Sequence, residues 1–227
     1  MKFLKFGLLF LITGMLTNAA FAQSADLIWS PEISYSWKQS DRLGFSAKVS
    51  MFNSLRDLDN RSAVRYIEPQ MTFSYSSSPR VKLGGGYYYR NSTPFLPGNQ
   101  YEHRFLEQIG FVSYIGDKRI AHRLRAEQRV RSSSYQNRIR YRLSYDFPLN
   151  GEELDNGEKY LILKNEIMTA FNKDAADAEN RADIGLGWYF NDKRKFELGL
   201  QYRTQDIFSD SGISHLFLLR TSYYMNQ

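Results

Sequence analysis

The sequence predicts an all-β protein, an antiparallel up-and-down transmembrane β-barrel of about 10–12 strands. Three observations carry this prediction. Apolar and polar residues alternate with a period of two along almost the whole chain after residue 26. The alternating segments are longer than the roughly five or six residues usual in soluble sheets. Aromatic residues make up 15% of the chain, which favours strands over helices or disorder.

The first 22 residues have the layout of a cleaved secretory signal peptide. Two lysines precede an apolar stretch over residues 6–16, and small residues at Ala20 and Ala22 precede the expected cleavage before Gln23. The apolar stretch is shorter than the roughly eighteen residues of a spanning helix, which argues against a retained anchor. We therefore expect an exported protein with a single β-barrel domain over residues 23–227.

The composition excludes several kinds of site. The chain has no cysteine, so disulfides and thiolate metal sites are excluded. The formal net charge is +6, but an exported protein does not meet nucleic acid, so no nucleic-acid partner is predicted. Gly84, Gly85 and Gly86 lack the phosphate-loop pattern, and no EF-hand spacing occurs. We predict neither a metal nor a cofactor.

Each predicted strand places apolar residues on one face and polar residues on the other. Arginine alternates with apolar residues over 119–131 and 138–147, whereas a helix would scatter these arginines around its cylinder. The phase is less clean over 101–115, where Glu107 shares the phase of His103, which indicates either a bulge or a different register. In chain order the eleven candidate strands are 28–37, 43–51, 67–75, 81–90, 101–115, 119–131, 138–147, 159–172, 181–190, 194–205 and 214–225.

The connections predict an orientation and raise a problem of strand number. Tight turns, with one longer exception over 148–159, alternate with mostly longer links around 53–62, 91–100, 172–180 and 205–213. Short turns in the periplasm and longer loops outside are typical of outer-membrane barrels. The first candidate strand would then start outside, which an even-stranded barrel with both ends in the periplasm forbids. We expect either a partial or inserted first strand beside ten others or an undetected twelfth strand.

Alternation alone does not say which face of the sheet points inward. A lipocalin-like barrel or a β-sandwich would put the apolar face inside. Strand length, the export signal, and aromatic residues near strand ends, such as Trp29, Trp37 and Trp188, favour lipid on the outside. We therefore expect a protein of the bacterial outer membrane, in contact with lipid and lipopolysaccharide. Its oligomeric state stays open.

Six sequence blocks follow one another along the chain, namely EHRFLEQ (102–108), RLRAEQR (123–129), RIRYRLSYDFPL (138–149), YLILKNE (160–166), NRADIGLGWYF (180–190) and FELGLQYRTQ (196–205). Taken in this order, they resemble domain-of-unknown-function family 2490. This family consists of exported bacterial proteins taken to be outer-membrane β-barrels, many of them from Bacteroidetes. The segment around Trp29 matches the family loosely. The resemblance implies architecture and location, and it supplies no catalytic residue.

On the predicted inward face, basic residues outnumber acidic ones by eighteen to eight. Carboxylates that tie together arginines of adjacent strands would neutralise part of this charge, and the remainder needs water, rim positions or bound anions. The predicted lumen charge network comprises Arg104, Arg123, Arg125, Glu127, Arg129, Arg138, Arg140, Arg142, Glu102, Glu166, Arg181, Asp183, Glu197 and Arg203. Acidic residues expected in turns and loops are Asp57, Asp59, Glu152, Glu153, Asp155, Asp174, Asp177, Glu179, Asp206 and Asp210.

Three functions are compatible with the sequence. The first is an outer-membrane barrel of unknown specific role, with an arginine-rich lumen held by Arg–Glu and Arg–Asp networks. The second is a small anion-preferring channel or an anion-binding barrel. The third is a hydrolase or acyltransferase with a rim site near His103. His122 is expected on the lipid face and His215 near the outer rim. No nucleophile in a recognisable context accompanies His103, so we predict no catalytic residue and favour a protein that is not an enzyme.

Overall fold

The structure is a computed structural model that describes residues 26–56, 63–116, 118–151, 153–173, 175–209 and 212–227. The predicted signal peptide, residues 1–22, lies outside the described residues. Five of the acidic residues expected in loops also lie outside them, namely Asp57, Asp59, Glu152, Asp174 and Asp210.

The described residues form a closed β-barrel of eleven strands, which confirms the predicted fold class. None of these residues belongs to a helix with the length and hydropathy needed to span a bilayer. In chain order the strands are β1 (Asp26–Lys38), β2 (Leu43–Ser54), β3 (Val64–Ser78), β4 (Val81–Ser92), β5 (Gln100–Ile115), β6 (Lys118–Arg131), β7 (Tyr135–Pro148), β8 (Lys159–Phe171), β9 (Ala176–Asn191), β10 (Arg194–Gln205) and β11 (Ser214–Asn226).

The barrel closes through a parallel pair between its first and last strands. Asp26 of β1 lies opposite Leu216 of β11, and the pairing continues to Ser36 opposite Asn226. Each of the other neighbouring strands pairs antiparallel with the next one along the chain. We call the end of the barrel where β1 and β11 begin the loop end, and the opposite end the turn end.

This closure removes the difficulty with strand number. Of the alternatives proposed from the sequence, the structure shows a first strand inserted beside ten others, and it contradicts a partial first strand and, among the described residues, a twelfth strand. β1 is a full strand that pairs with β2 as well as with β11. The difficulty arose because outer-membrane barrels are expected to have an even number of strands, all of them antiparallel. An odd number of strands closes only when one neighbouring pair runs parallel.

The apolar face of the sheet points outward and the polar face points inward. Large apolar side chains on the outside are exposed, including Ile33 at 58%, Ile167 at 55% and Leu200 at 60%. Inward positions carry mostly charged and hydroxyl side chains that are buried within the barrel, such as Ser34 and Glu127. This distribution is the reverse of a soluble barrel, whose apolar face forms the core.

Aromatic residues gather towards both ends of the outer face. Near the loop end, the ring centroids of Tyr89 and Tyr101 lie 5.7 Å apart. Near the turn end, the ring of Trp37 stacks between those of Tyr35 and Phe45, with centroids 5.7 Å away on each side. Two aromatic bands therefore flank the apolar middle of the outer face.

An apolar cluster is the exception to the polar lumen. Ile28, Phe52, Leu216 and Leu218 are buried together inside the barrel, at the loop end of the parallel closure. Tyr66 packs on this cluster and stacks on Phe52 with ring centroids 4.6 Å apart. The cluster thus packs the inner side of the closing strands.

Strand β9 begins earlier than the sequence predicted. It starts at Ala176, so Asp177 and Glu179, both expected in a loop, lie in the strand. Glu179 is buried and accepts a hydrogen bond of 2.7 Å from Nε of Arg181. The link predicted over 172–180 was therefore wrong in its second half. Its small and acidic residues are typical of a loop, but they begin a strand in which Glu179 pairs with Arg181.

Glu107 lies on the outer face without a bulge. The register is continuous through Glu107, which lies opposite Gly85 of β4 and Ala126 of β6. A Cβ at Gly85 would lie 2.9 Å from the ring of Phe73, so the glycine leaves room for this ring. The irregular phase seen in the sequence therefore reflects an exposed carboxylate among apolar and small residues.

Candidate functional site in the barrel lumen

The barrel encloses a strongly basic cavity of about 470 Å³. Fourteen basic and six acidic side chains of the described residues line this cavity. Eleven members of the predicted charge network are among them, namely Arg104, Arg123, Arg125, Arg129, Arg138, Arg140, Arg142, Glu166, Arg181, Asp183 and Arg203. The other three members, Glu102, Glu127 and Glu197, are buried inside the barrel beside these cations.

Glu102 holds together three arginines towards the loop end. Its carboxylate accepts hydrogen bonds from Arg129 at 2.8 Å and from Arg131 at 2.5 Å, and also pairs with Arg104 on its own strand. Arg104 additionally lies 3.3 Å from Glu68, which pairs with Arg90. A single buried carboxylate therefore serves several guanidinium groups from β5 and β6.

Glu127 holds a second group in the middle of the barrel. It is 1% exposed and accepts a hydrogen bond of 2.6 Å from Nη1 of Arg140. Nη1 of Arg125 lies 3.6 Å from this carboxylate, and Nη1 of Arg138 lies 3.9 Å from it. Glu127 thus neutralises at most one of the three arginines that surround it.

Glu166 on β8 is shared in the same way. Its carboxylate accepts a hydrogen bond of 2.8 Å from Nη2 of Arg123 and a second one from Arg140. Nη1 of Arg181 lies 3.9 Å away. Because Arg140 binds both Glu127 and Glu166, these two groups form one continuous network across β6, β7, β8 and β9.

The acidic residues Asp183 and Glu197 complete the lumen. Asp183 accepts hydrogen bonds of 2.7 Å from Arg220 and 2.8 Å from Gln201. Towards the turn end, Glu197 pairs with Lys164 at 3.4 Å and accepts a hydrogen bond of 2.8 Å from Tyr160. These contacts fill the turn end with polar side chains.

Arginines face one another directly at four positions, which lie on three neighbouring strand pairs. Like charges in this position destabilise a sheet unless something compensates them. Glu102 bridges the first of these pairs, and Glu127 contacts both members of the second. The facing residues are Arg104 and Arg129, Arg125 and Arg140, Arg123 and Arg142, and Arg181 and Arg203.

Several buried guanidinium nitrogens make no hydrogen bond within the described residues. An unpaired buried donor is costly, and a charged one costs more than a neutral one. Arg142 is the extreme case, because among the described residues it has neither a hydrogen bond nor an ion pair within 4.0 Å. The nitrogens are Nη2 of Arg104 and Nε of Arg123, Arg138, Arg140 and Arg142.

Neutral residues that accept hydrogen bonds from the arginines or pack on them were not predicted from the sequence. Arg125 donates to Oε1 of Gln108 at 2.7 Å and to the hydroxyl of Tyr88 at 2.6 Å. Arg203 donates to Gln201 at 2.5 Å, and its guanidinium lies 5.4 Å from the ring centroid of Phe52. These supporting residues share the inward phase of their strands, which is the signal that identifies them.

All three histidines lie on the outer face and contact tyrosines. The Tyr87 hydroxyl is 2.6 Å from Nδ1 of His103, and the Tyr202 hydroxyl is 2.8 Å from Nδ1 of His215. His122 lies between the hydroxyls of Tyr141 and Ser113, each 2.7 Å away. His103 therefore lies on the opposite side of the sheet from the charged lumen. No group of three or more His, Cys, Asp or Glu residues among those described could hold a metal ion.

The fold and the site define a closed β-barrel with an apolar exterior and a basic, arginine-lined interior. A family model described as "Protein of unknown function (DUF2490)" matches residues 32–212. The chain therefore belongs to the DUF2490 family, which confirms the resemblance drawn from its sequence blocks.

Other comparisons add little. A search of curated proteins gave no match. Among solved structures, the siderophore receptor PirA from Pseudomonas aeruginosa is similar over 79% of this chain, with 15% identity and a TM-score of 0.34. The chain covers only 35% of that receptor. A similarity this weak supports no argument about function.

Proposed function

We propose that the protein is an outer-membrane β-barrel whose basic lumen admits small anions in preference to cations. One observation carries the proposal: fourteen basic side chains face six acidic ones around a single cavity of about 470 Å³. A confined volume with walls of one sign attracts ions of the opposite sign far more strongly than an open surface does.

The outer face supports a location in a membrane. Large apolar side chains exposed to water would be unfavourable by about 25 cal/mol per Å² of apolar area, and they occur on every side of the barrel. Aromatic bands flank this apolar surface, as they do in barrels that cross the outer membrane. The signal peptide predicted over residues 1–22 supplies the route of export.

The charge balance of the lumen supports the preference for anions. A dry interior held by salt bridges alone requires nearly one carboxylate for each cation, because an unpaired buried charge costs several kcal/mol. Glu102, Glu127 and Glu166 are each shared by three arginines. The surplus of positive charge is therefore best stabilised by water and mobile anions.

Fractionation tests the location. Membranes separated on a density gradient should carry the protein in the outer-membrane fraction. The folded protein should also change mobility on a gel after boiling, as stable barrels do. A soluble periplasmic protein without this change would contradict the proposed membrane barrel.

Reversal potentials test the ion preference. The purified barrel is placed in a planar bilayer between two KCl concentrations, and the sign of the reversal potential reports whether chloride or potassium carries more current. We expect chloride selectivity. Absence of conductance, or selectivity for potassium, would contradict an anion-preferring lumen. Arg194→Gln removes a positive charge from the exposed first residue of β10 and provides a control with unchanged selectivity.

A further inference from the structure

We infer that the lumen contains one defined site for a multivalent oxyanion of the phosphate or sulfate class, built on the β6–β7 hairpin. Its centre is a group of four arginines, Arg123, Arg125, Arg140 and Arg142, which we call the arginine quartet. This inference rests on the proposed anion-preferring lumen and adds to it a location, a ligand class and the residues responsible.

The register of the hairpin brings the quartet together. Arg123 lies directly opposite Arg142, and Arg125 lies directly opposite Arg140, two positions further along both strands. Residues two apart on a strand lie on the same face. All four side chains line the cavity, midway between the two ends of the barrel.

The protein itself neutralises the quartet only in part. Only two carboxylates, Glu127 and Glu166, lie within 4.0 Å of its guanidinium groups among the described residues. Each of these carboxylates also attracts an arginine from outside the quartet, Arg138 and Arg181 respectively. The quartet therefore keeps a local surplus of about two positive charges, which a divalent anion would balance.

Unpaired hydrogen-bond donors lie within the same group. Nε of Arg123, Arg140 and Arg142 is buried in each case and donates to no described residue. Arg125 differs, because Gln108 and Tyr88 hold its guanidinium in place. The quartet thus combines one anchored arginine with three that retain donors for an additional acceptor.

Arg142 is the residue that most requires such an acceptor. Glu166 lies opposite it in the β7–β8 register but pairs with Arg123 and Arg140 instead. Glu166 attracts Arg142 only from beyond 4.0 Å, and Arg125, Arg140 and Arg220 repel it. A structural salt bridge does not account for this arginine, whereas a bound anion does.

The shape of the guanidinium group selects the kind of anion. Each guanidinium offers adjacent N–H donors in a planar fork that fits two oxygens of a carboxylate, sulfate or phosphate. The guanidinium groups of Arg123 and Arg142 face each other and can bind one tetrahedral anion between them. Chloride has no separate oxygens and cannot accept paired hydrogen bonds from both forks. The strands separate the quartet from lipid, so the inferred occupant is a free ion and not a lipid headgroup.

Titration calorimetry on the folded protein in detergent tests the inference. Sodium phosphate and sodium sulfate are compared with chloride and acetate at equal ionic strength. We expect saturable binding of phosphate or sulfate to one site, and weaker, nonsaturating heats for chloride and acetate. Absence of phosphate and sulfate binding by the wild-type protein would overturn the inferred site.

Substitutions at Arg142 locate the site. Arg142→Gln should weaken phosphate binding at least tenfold, and Arg142→Lys, which keeps the charge but loses the fork, should weaken it less. Arg194→Gln removes a charge far from the quartet and should leave binding unchanged. Equal binding by the wild type and Arg142→Gln would overturn the assignment to the quartet. Heat-dependent gel mobility confirms that each variant is folded.

If a variant fails to fold, the inferred site can still be tested on the wild-type protein. Phosphate at saturating concentration should slow unfolding of the wild-type barrel more than chloride does, because a ligand that binds only the folded state stabilises it. Equal unfolding rates would overturn the site.

The two proposals fail in different ways. Chloride-selective conductance that phosphate does not change, together with no calorimetric binding, would overturn the oxyanion site and leave the anion-preferring lumen. Saturable phosphate binding without any conductance would retain the site and overturn the lumen as a path for ions.

Discussion

Arg123 and Arg142 face each other directly across the β6–β7 pair, and only Arg123 has a carboxylate partner within 4.0 Å among the described residues. An opposed pair of cations is unfavourable in any sheet. The barrel retains this pair at the centre of its lumen, where both side chains line the same cavity. If the proposed oxyanion site is correct, Arg123 contributes to the internal salt bridges of the barrel, whereas Arg142 is available to a bound anion.

Arg140 and Arg142 should therefore respond differently to the same substitution. Arg140→Gln removes the link between Glu127 and Glu166 and should lower the free energy of unfolding by about 3–5 kcal/mol, because it leaves buried carboxylates without a partner. Arg142→Gln should leave stability unchanged or increase it in phosphate-free buffer. Urea unfolding followed by tryptophan fluorescence measures both. A similar loss of stability in the two variants would contradict the distinction.

Glu107 should destabilise the barrel in a bilayer. This exposed carboxylate lies on the outer face between Gly85 and Ala126. Replacing a lipid-facing acid with an apolar residue should stabilise the folded barrel by about 1 kcal/mol. Glu107→Leu is compared with Glu153→Leu, a substitution in an exposed loop, by urea unfolding in vesicles. A barrel destabilised by Glu107→Leu would mean that this carboxylate has a favourable partner.

Gly187 should not tolerate even a methyl group. A Cβ at this position would lie 2.2–2.6 Å from ring atoms of Tyr160, whose hydroxyl donates to Glu197. Gly187→Ala must displace the ring and should cost about 1–3 kcal/mol. Gly110→Ala, where the nearest atom is 3.7 Å away, should have little effect. Equal stability of the two variants would contradict the packing at Tyr160.

The parallel closure can be tested with disulfides, since the chain has no cysteine of its own. Ile33 lies opposite Tyr223 and Trp29 lies opposite Leu219, all four on the outer face. A variant with cysteines at positions 29 and 219, or one with cysteines at 33 and 223, should form a disulfide after oxidation. The crossed combinations, 29 with 223 and 33 with 219, should not. Cross-linking of the crossed combinations instead would contradict parallel closure.

Much of this architecture could be predicted from alternation alone. The inward phase of β6 and β7 follows directly from the spacing of their arginines, so the lumen residues Arg123 and Arg142 could be identified without a structure. The partner of β1 could not be predicted, because residue periodicity does not encode the relative direction of two strands that are distant in sequence. The wholly antiparallel arrangement expected from the sequence was wrong at this one closure.

Which arginines each carboxylate contacts could be determined only from the positions of the side chains. Glu166 lies opposite Arg142 in register, yet it pairs with Arg123 and Arg140. No count of charges along a strand predicts which of three arginines remains unpaired. Glu179 was missed for a related reason, because the small and acidic residues around it are typical of loops and its burial depends on Arg181.

The reversal potential of the purified wild-type barrel in a planar bilayer with a KCl gradient tests the central claim most directly. A lumen lined by fourteen cations and six anions should select chloride, and neutralising Arg142 should reduce that selectivity while neutralising Arg194 should not. A reversal potential of the sign expected for potassium selectivity, or a barrel that passes no current, would contradict it.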